Sequence, residues 1–293
     1  MDVLTVDYVN NFKSREKMIS ADLDYLEKIK EIAEKIAYAS EEKPIVLLSG
    51  PSGSGKTTTA KFLERFLDES GHEAHTVSLD NYFLTVSESE KGKVDFESPT
   101  RIDGELLSEH IKTLTECREI KVPVFDFAAA KRSDKFISLK RSRGEIIIFE
   151  GIHALNHETV KFGNENTVKI YVSVRTRVSD GYEIFEPKYI RLLRRMCRDK
   201  LFRGRQVSET LEHFESVESG EIKYIMPYKY RADFSLDSFI PYELGVYKTD
   251  LYEDISKLRD SGVVSLLKRL LKSVGYFDVG NVPENSLIKE FIG

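Results

Sequence analysis

The sequence predicts an α/β fold: a parallel sheet flanked by helices. Three observations predict it. Strand-like and helix-like segments alternate from Pro44 to Ser238, as in strands joined by helical crossovers. One segment, EIIIFEG (145–151), is apolar enough to be a strand covered on both faces. A glycine-rich turn lies between the first strand and the first helix of the alternating series.

The elements follow in chain order. Residues 1–19 carry no legible pattern. From Ser20 to Ala39, Leu23, Leu26, Ile29, Ile32, Ala33 and Ile36 recur at helical spacing, with Ser20 as N-cap. PIVLLSG (44–50) is a buried strand, and TTTAKFLERFLDESG (57–71) a helix closed by Gly71. HTVSLD (75–80) is a second strand, and GELLSEHIKTLTEC (104–117) a helix. EIIIFEG is the third strand and VKIYVSV (168–174) the fourth. An arginine-rich helical region runs from about Pro187 to Ser216, ADFSLDS (232–238) is a last strand, and helices follow Pro241. The loop from Asn81 to Thr100 is long for a compact domain, and such loops are usually functional. This divides the chain into an N-terminal helical extension (1–43) and one domain (44–293), with a helical arginine-rich lid at about 187–216 and a helical C-terminal extension at about 241–293.

Composition narrows the function. Hydrophobic residues make up 41% and charged residues 32% of the 293, as in ordinary globular proteins. A net charge of −5 argues against a nucleic-acid coat or a polybasic membrane binder. Two cysteines, Cys117 and Cys197, exclude a disulfide scaffold and a cysteine-rich zinc site. The first residues lack a signal-peptide pattern, and no apolar run is long enough to span a membrane. The expectation is a cytoplasmic protein.

Gly50-Pro-Ser-Gly-Ser-Gly-Lys-Thr57 fits G-x-x-x-x-G-K-S/T in its required strand-to-helix context, which makes the sheet a P-loop NTPase-type sheet. Glycines let successive amides point at phosphate oxygens, and the following helix adds its free N–H groups and dipole. The nucleotide-binding candidates are Ser52, Gly53, Ser54, Gly55, Lys56, Thr57 and Thr58. Lys56 would neutralise the β- and γ-phosphates and Thr57 would offer its hydroxyl to Mg²⁺. No N-K-x-D base-reading motif marks a switch GTPase. The third strand ends in a single acid, Glu150, which either joins Thr57 at the metal or caps the next turn.

Ligands collect at the carboxyl ends of strands in such sheets, and the second strand ends at Asp80. Asp80 is either a base for an attacking hydroxyl or an Asp that opens a turn before Asn81. RLLRRMCRDKLFRGR (191–205) places Arg191, Arg194, Arg195 and Arg198 on one helix face. A solvated face or a nucleic-acid patch leaves the break at Arg203-Gly204-Arg205 unexplained. A lid that lays arginines on phosphates and excludes water explains it.

Taken together, GPSGSGKTT, VSLDNYF, VDFESP, VPVFDFAAAKR, IIIFEGIHALN, RLLRRMCRDKLFRGR and ADFSLDSFIPYELGVYK resemble the uridine kinase and phosphoribulokinase family in order and spacing, over about residues 45–248. The resemblance is to its bacterial uridine kinase-like branch, often labelled nucleoside kinase, and extends to the ending VPENSLIKEFIG. It implies Asp80 as catalytic base, with Lys56 and Arg198 as catalytic partners. It implies Thr57 and Glu150 at Mg²⁺ and Arg203 and Arg205 on the nucleotide. Tyr82, Phe83, Glu97, Phe125, Asp126, Arg132, Arg195 and His213 align with the substrate side, Glu97 with an acid that holds ribose hydroxyls. The departures fall on base recognition. Phe83, Phe125 and Ala130 stand where the family has Tyr, Tyr and His, and His213 aligns with a Gln. A site that loses hydrogen-bond partners loses discrimination.

The reading is an ATP- and Mg²⁺-dependent kinase of a primary hydroxyl on a small molecule, foremost a nucleoside, acting without nucleic acid or membrane; a homo-oligomer stays open, since members of the family it resembles are often oligomers. GTP as donor stays open. The rivals are a kinase of a non-nucleoside alcohol or sugar, and a catalytically silent ATP-binding regulator, which the N-terminal helix keeps alive.

Overall fold

The computed structural model describes residues 3–87, 94–161 and 165–293. Ten strands are described: β1 (Val3–Thr5), β2 (Ile45–Ser49), β3 (Ala74–Ser78), β4 (Glu119–Asp126), β5 (Lys131–Lys140), β6 (Ile146–Glu150), β7 (Thr167–Ser173), β8 (Arg177–Ser179), β9 (Ile184–Phe185) and β10 (Phe234–Asp237). Ten α-helices are described: α1 (Val6–Asn10), α2 (Arg15–Ala39), α3 (Lys56–Glu69), α4 (Gly104–Thr115), α5 (Pro187–Arg203), α6 (Val207–Glu212), α7 (Phe214–Tyr224), α8 (Glu243–Lys257), α9 (Gly262–Ser273) and α10 (Lys289–Ile292).

The central sheet has five parallel strands in the order β10-β7-β2-β6-β3. β2, β6 and β7 are buried along their whole length, as the apolar runs of β2 and β6 require. One apolar layer gathers α2, α3, α5, α8, α9 and the C-terminal segment on one face. A second layer covers the other face with α4 and the β4–β5 pair. The parallel sheet flanked by helices is therefore as the sequence predicts.

Local chemistry sets the helix ends. Asp103 accepts from the Leu106 amide at 3.1 Å and starts α4. Pro187 begins α5 and left-handed Gly204 ends it. Gly71, at φ +86°, follows α3, where the His72 amide turns back to the Leu67 carbonyl at 3.0 Å.

The structure corrects several boundaries. The first long helix begins at Arg15, capped by Ser14, so Ser20 lies inside it. The Ser14 and Ser20 signals are chemically alike, and the apolar stripe extended by Met18 favours the earlier one. Residues 3–14 hold β1 and α1, and β1 pairs in parallel with β8 to make a small second sheet with β9. An antiparallel hairpin, β4–β5, lies between α4 and β6. The helical stretch after Pro187 breaks into three helices and continues to Tyr224. Part of the long loop, 88–93, lies outside the described residues. Among the described residues no helix is long and apolar enough to cross a membrane.

Candidate active site

β2 delivers the phosphate-binding loop. At Gly50 a Cβ would lie 1.9 Å from the Val172 carbonyl oxygen of β7, so only glycine lets the loop leave the sheet here. Gly55, at φ +82°, turns the chain into α3. The Lys56 ammonium donates to the Pro51 carbonyl at 3.2 Å and so lies over the loop. The Ser54 hydroxyl is buried with no partner among the described residues. The Ser52 and Gly53 carbonyls accept from Arg191 and Arg194 at 3.2 and 3.1 Å.

Two strand ends and the long loop meet this phosphate-binding turn. The Thr57 hydroxyl donates to Glu150 Oε1 at 3.5 Å, bringing the end of β6 against the start of α3. Burial raises the Glu150 carboxyl above its ordinary pKa, and Lys56 pulls it back down. Asp80 lies in a helical turn just past β3, where its amide donates to Ser78 Oγ at 3.3 Å. Asp80 is exposed to the cleft between these elements. The protein atoms crowding that cleft raise its carboxyl pKa, against the pull of Lys56, Arg198 and Arg203. Glu97, from the long loop, packs on Gly220 of α7. Burial raises its carboxyl too, while Arg195 and Lys56 oppose the rise. Its Oε2 has no partner among the described residues.

Only part of the arginine stripe faces this cleft. Arg191 Nη2 donates to both carboxylate oxygens of Glu221, at 2.6 and 2.8 Å. Arg194 is fully buried, bidentate on Glu243 at 2.6 and 2.9 Å, and also donates to the Ser238 carbonyl. These two tie the loop carbonyls to carboxylates of α7 and α8. Arg195 and Arg198 remain on the cleft side. Arg203 donates to buried Asp199 at 2.8 Å, and Arg205 lies 3.9 Å from the same carboxylate.

The substrate-side residues divide as well. Phe83, Phe125 and Phe127 form an aromatic wall with ring centroids 5.0 to 5.8 Å apart, and Phe96 joins at Phe83. The Tyr82 hydroxyl is engaged with His110 Nδ1 at 2.9 Å. Asp126 accepts from the Ala128 and Ala129 amides and closes the β4–β5 turn. Arg132 donates to the carbonyls of Phe83 and Tyr82, both at 3.0 Å, and pairs with Asp103. His213 is exposed at the α6–α7 junction.

Two residues here escape sequence reasoning. His153 is 1% exposed, and burial pushes its imidazole down to about 4, so it is neutral at ordinary pH. Glu290, from α10, accepts from the Thr58 amide at 3.3 Å and the Thr58 hydroxyl at 2.7 Å. No local pattern marks Glu290, which lies 232 positions from Thr58.

No group of three or more His, Cys, Asp and Glu forms a cage among the described residues. A hydroxyl and one carboxylate suit a Mg²⁺ ion that keeps waters and is held largely by phosphate oxygens.

The chain matches the model of the phosphoribulokinase / uridine kinase family over residues 45–241, and it belongs to that family. It is a small-molecule kinase. The uridine kinase of Borreliella burgdorferi (strain ZS7) is 33% identical over 192 residues, which is 64% of this chain and 84% of the relative. The uridine kinase of Staphylococcus aureus (strain JH9) is 31% identical over 176 residues, 59% of this chain and 76% of the relative. The D-glycerate 3-kinase of Cryptococcus neoformans var. grubii shares the fold at a TM-score of 0.52 and 14% identity, over 70% of this chain and 89% of that one.

Proposed function

We propose that the protein transfers the γ-phosphoryl group of ATP to a primary hydroxyl of a nucleoside whose ring lies against the Phe83–Phe125–Phe127 wall. The observation that carries this is the position of Asp80, at the end of β3 and within the field of Lys56, Arg198 and Arg203. The loop amides and Lys56 would hold the β- and γ-phosphates. Thr57 and Glu150 would hold Mg²⁺, which when bound neutralises charge on the phosphates. Asp80 would accept the proton of the attacking hydroxyl, a task for which a raised pKa suits a carboxylate. Arg195 and Arg198 would face the transferring group, with Arg203 and Arg205 at the nucleotide and Glu97 on the acceptor's hydroxyls.

The acceptor's ring would be chosen by shape. Asp126 and Arg132, the polar residues kept from the base-reading stretch, are engaged with backbone and Asp103. That observation also favours a second reading, a non-nucleoside alcohol as acceptor. The two separate on ADP release from MgATP with a panel of nucleosides, sugars and small alcohols. Asp80→Asn is expected to keep nucleotide affinity and lose at least a hundredfold in kcat. Full turnover in that variant would remove Asp80 as base.

A further inference from the structure

We propose that Glu290 is a built-in competitor of the nucleotide, occupying the amide that the α-phosphate needs, so that every nucleotide must displace it. The inference rests on the kinase reading above. In a phosphate-binding loop the free amides at the helix start cradle the α- and β-phosphates. Thr58 is the third residue of α3, and its amide and hydroxyl both donate to Glu290 Oε2, at 3.3 and 2.7 Å. The other carboxylate oxygen lies 3.7 Å from Arg198 Nη1. A carboxylate here does what a phosphate oxygen would do: it accepts from the helix start and answers the positive end of its dipole. Two anions cannot share the one amide. Glu150 lies close enough to Glu290 for the two carboxylates to repel, which makes a further negative charge harder to seat.

The segment that carries Glu290 is anchored. Leu287, Ile288 and Phe291 are at most 1% exposed. Leu287 packs so closely on Gly55 that a Cβ there would lie 2.7 Å from its Cδ1. Ser286 donates to Asp22 at 2.9 Å. The backbone of α10 therefore stays in place when phosphate arrives, and the Glu290 side chain turns away. In the unliganded protein the same carboxylate satisfies the Thr58 amide and lies against the Arg198 charge. Its return after transfer helps to expel ADP, so Glu290 lowers affinity for substrate and product alike.

The test measures binding of MgATP and of a fluorescent ADP analogue to the full chain. Glu290→Gln keeps the shape and removes the charge. It is expected to tighten both ligands by the same factor, at least fivefold, because both carry an α-phosphate, and to slow release of the ADP analogue correspondingly. Glu290→Asp, which draws the carboxylate back by one methylene, is expected to tighten both by a smaller factor. It decides the matter if the glutamine variant does not fold. Unchanged or weaker binding in a folded variant would overturn the proposal alone. Failure of the unmodified chain to bind either nucleotide would overturn the kinase reading and this inference together.

Discussion

Asp22 shows how one buried carboxyl ties the two ends of the chain together. It is 5% exposed and accepts from the Tyr242 hydroxyl at 2.6 Å and the Ser286 hydroxyl at 2.9 Å. Burial still outweighs these bonds and pushes its pKa up to about 6 from 3.8. The fold thus binds this proton more tightly than the unfolded chain does. The resulting stability is full below about pH 3.8 and is lost as pH rises through about 6. A shift of that size corresponds to about 3 kcal/mol at most. Asp22→Asn is expected to raise the Tm at pH 8 and to match the unmodified protein at pH 4, as thermal unfolding at the two pH values will show. At this scale the legible residues were those tied to strand ends: Lys56, Thr57, Asp80 and Glu150 stand together because the loop and three parallel strands open on one edge. Asp126 and Arg132 lay in a motif that spacing alone could not separate into binding and supporting roles. Their partners are backbone groups and, for Arg132, the Asp103 carboxylate 29 positions away, which side-chain identity does not reveal.

The α5 stripe is the corresponding lesson for elements. A run of arginines on one face reads as a single surface, yet α5 packs against α6, α8 and α10, and Arg191 and Arg194 reach carboxylates of α7 and α8. Arg191 meets Glu221 30 positions on and Arg194 meets Glu243 49 positions on, separations at which no local pattern marks a pair. Removing one partner of a fully buried pair leaves the other charge unmet, at about 3 to 5 kcal/mol. Arg194→Met is therefore expected to lower stability by that amount. Combining it with Glu243→Leu is expected to recover most of the loss, as denaturant unfolding of the single and double variants will show. The β4–β5 hairpin escaped reading for a different reason. β5 is exposed or half-buried throughout, so it carries no buried apolar face to alternate. The turn also places Ala130 at φ +51°, a conformation glycine would have announced and alanine does not.

For the whole molecule, the order of apolar strands and amphipathic helices was enough to specify a covered parallel sheet. It could not place the chain's extremities. β1 finds its partner in β8, and α10 finds the start of α3, through contacts that only the folded topology brings about. The site is accordingly assembled from the β2–α3 turn, the middle of the chain and its last five residues.

The aromatic wall at the cleft has an optical consequence. The chain contains no tryptophan. Phe127, 58% exposed and edge-on to Phe83 and Phe125, is the member of the wall that can be enlarged without crowding a core. Phe127→Trp would be the sole indole in the molecule, emitting from the place where the acceptor's ring is expected to lie. Titration with an acceptor that turns over is expected to quench or shift that emission saturably. A silent indole beside a working acceptor would put the ring elsewhere. One substitution thus makes the enzyme report its own substrate by light.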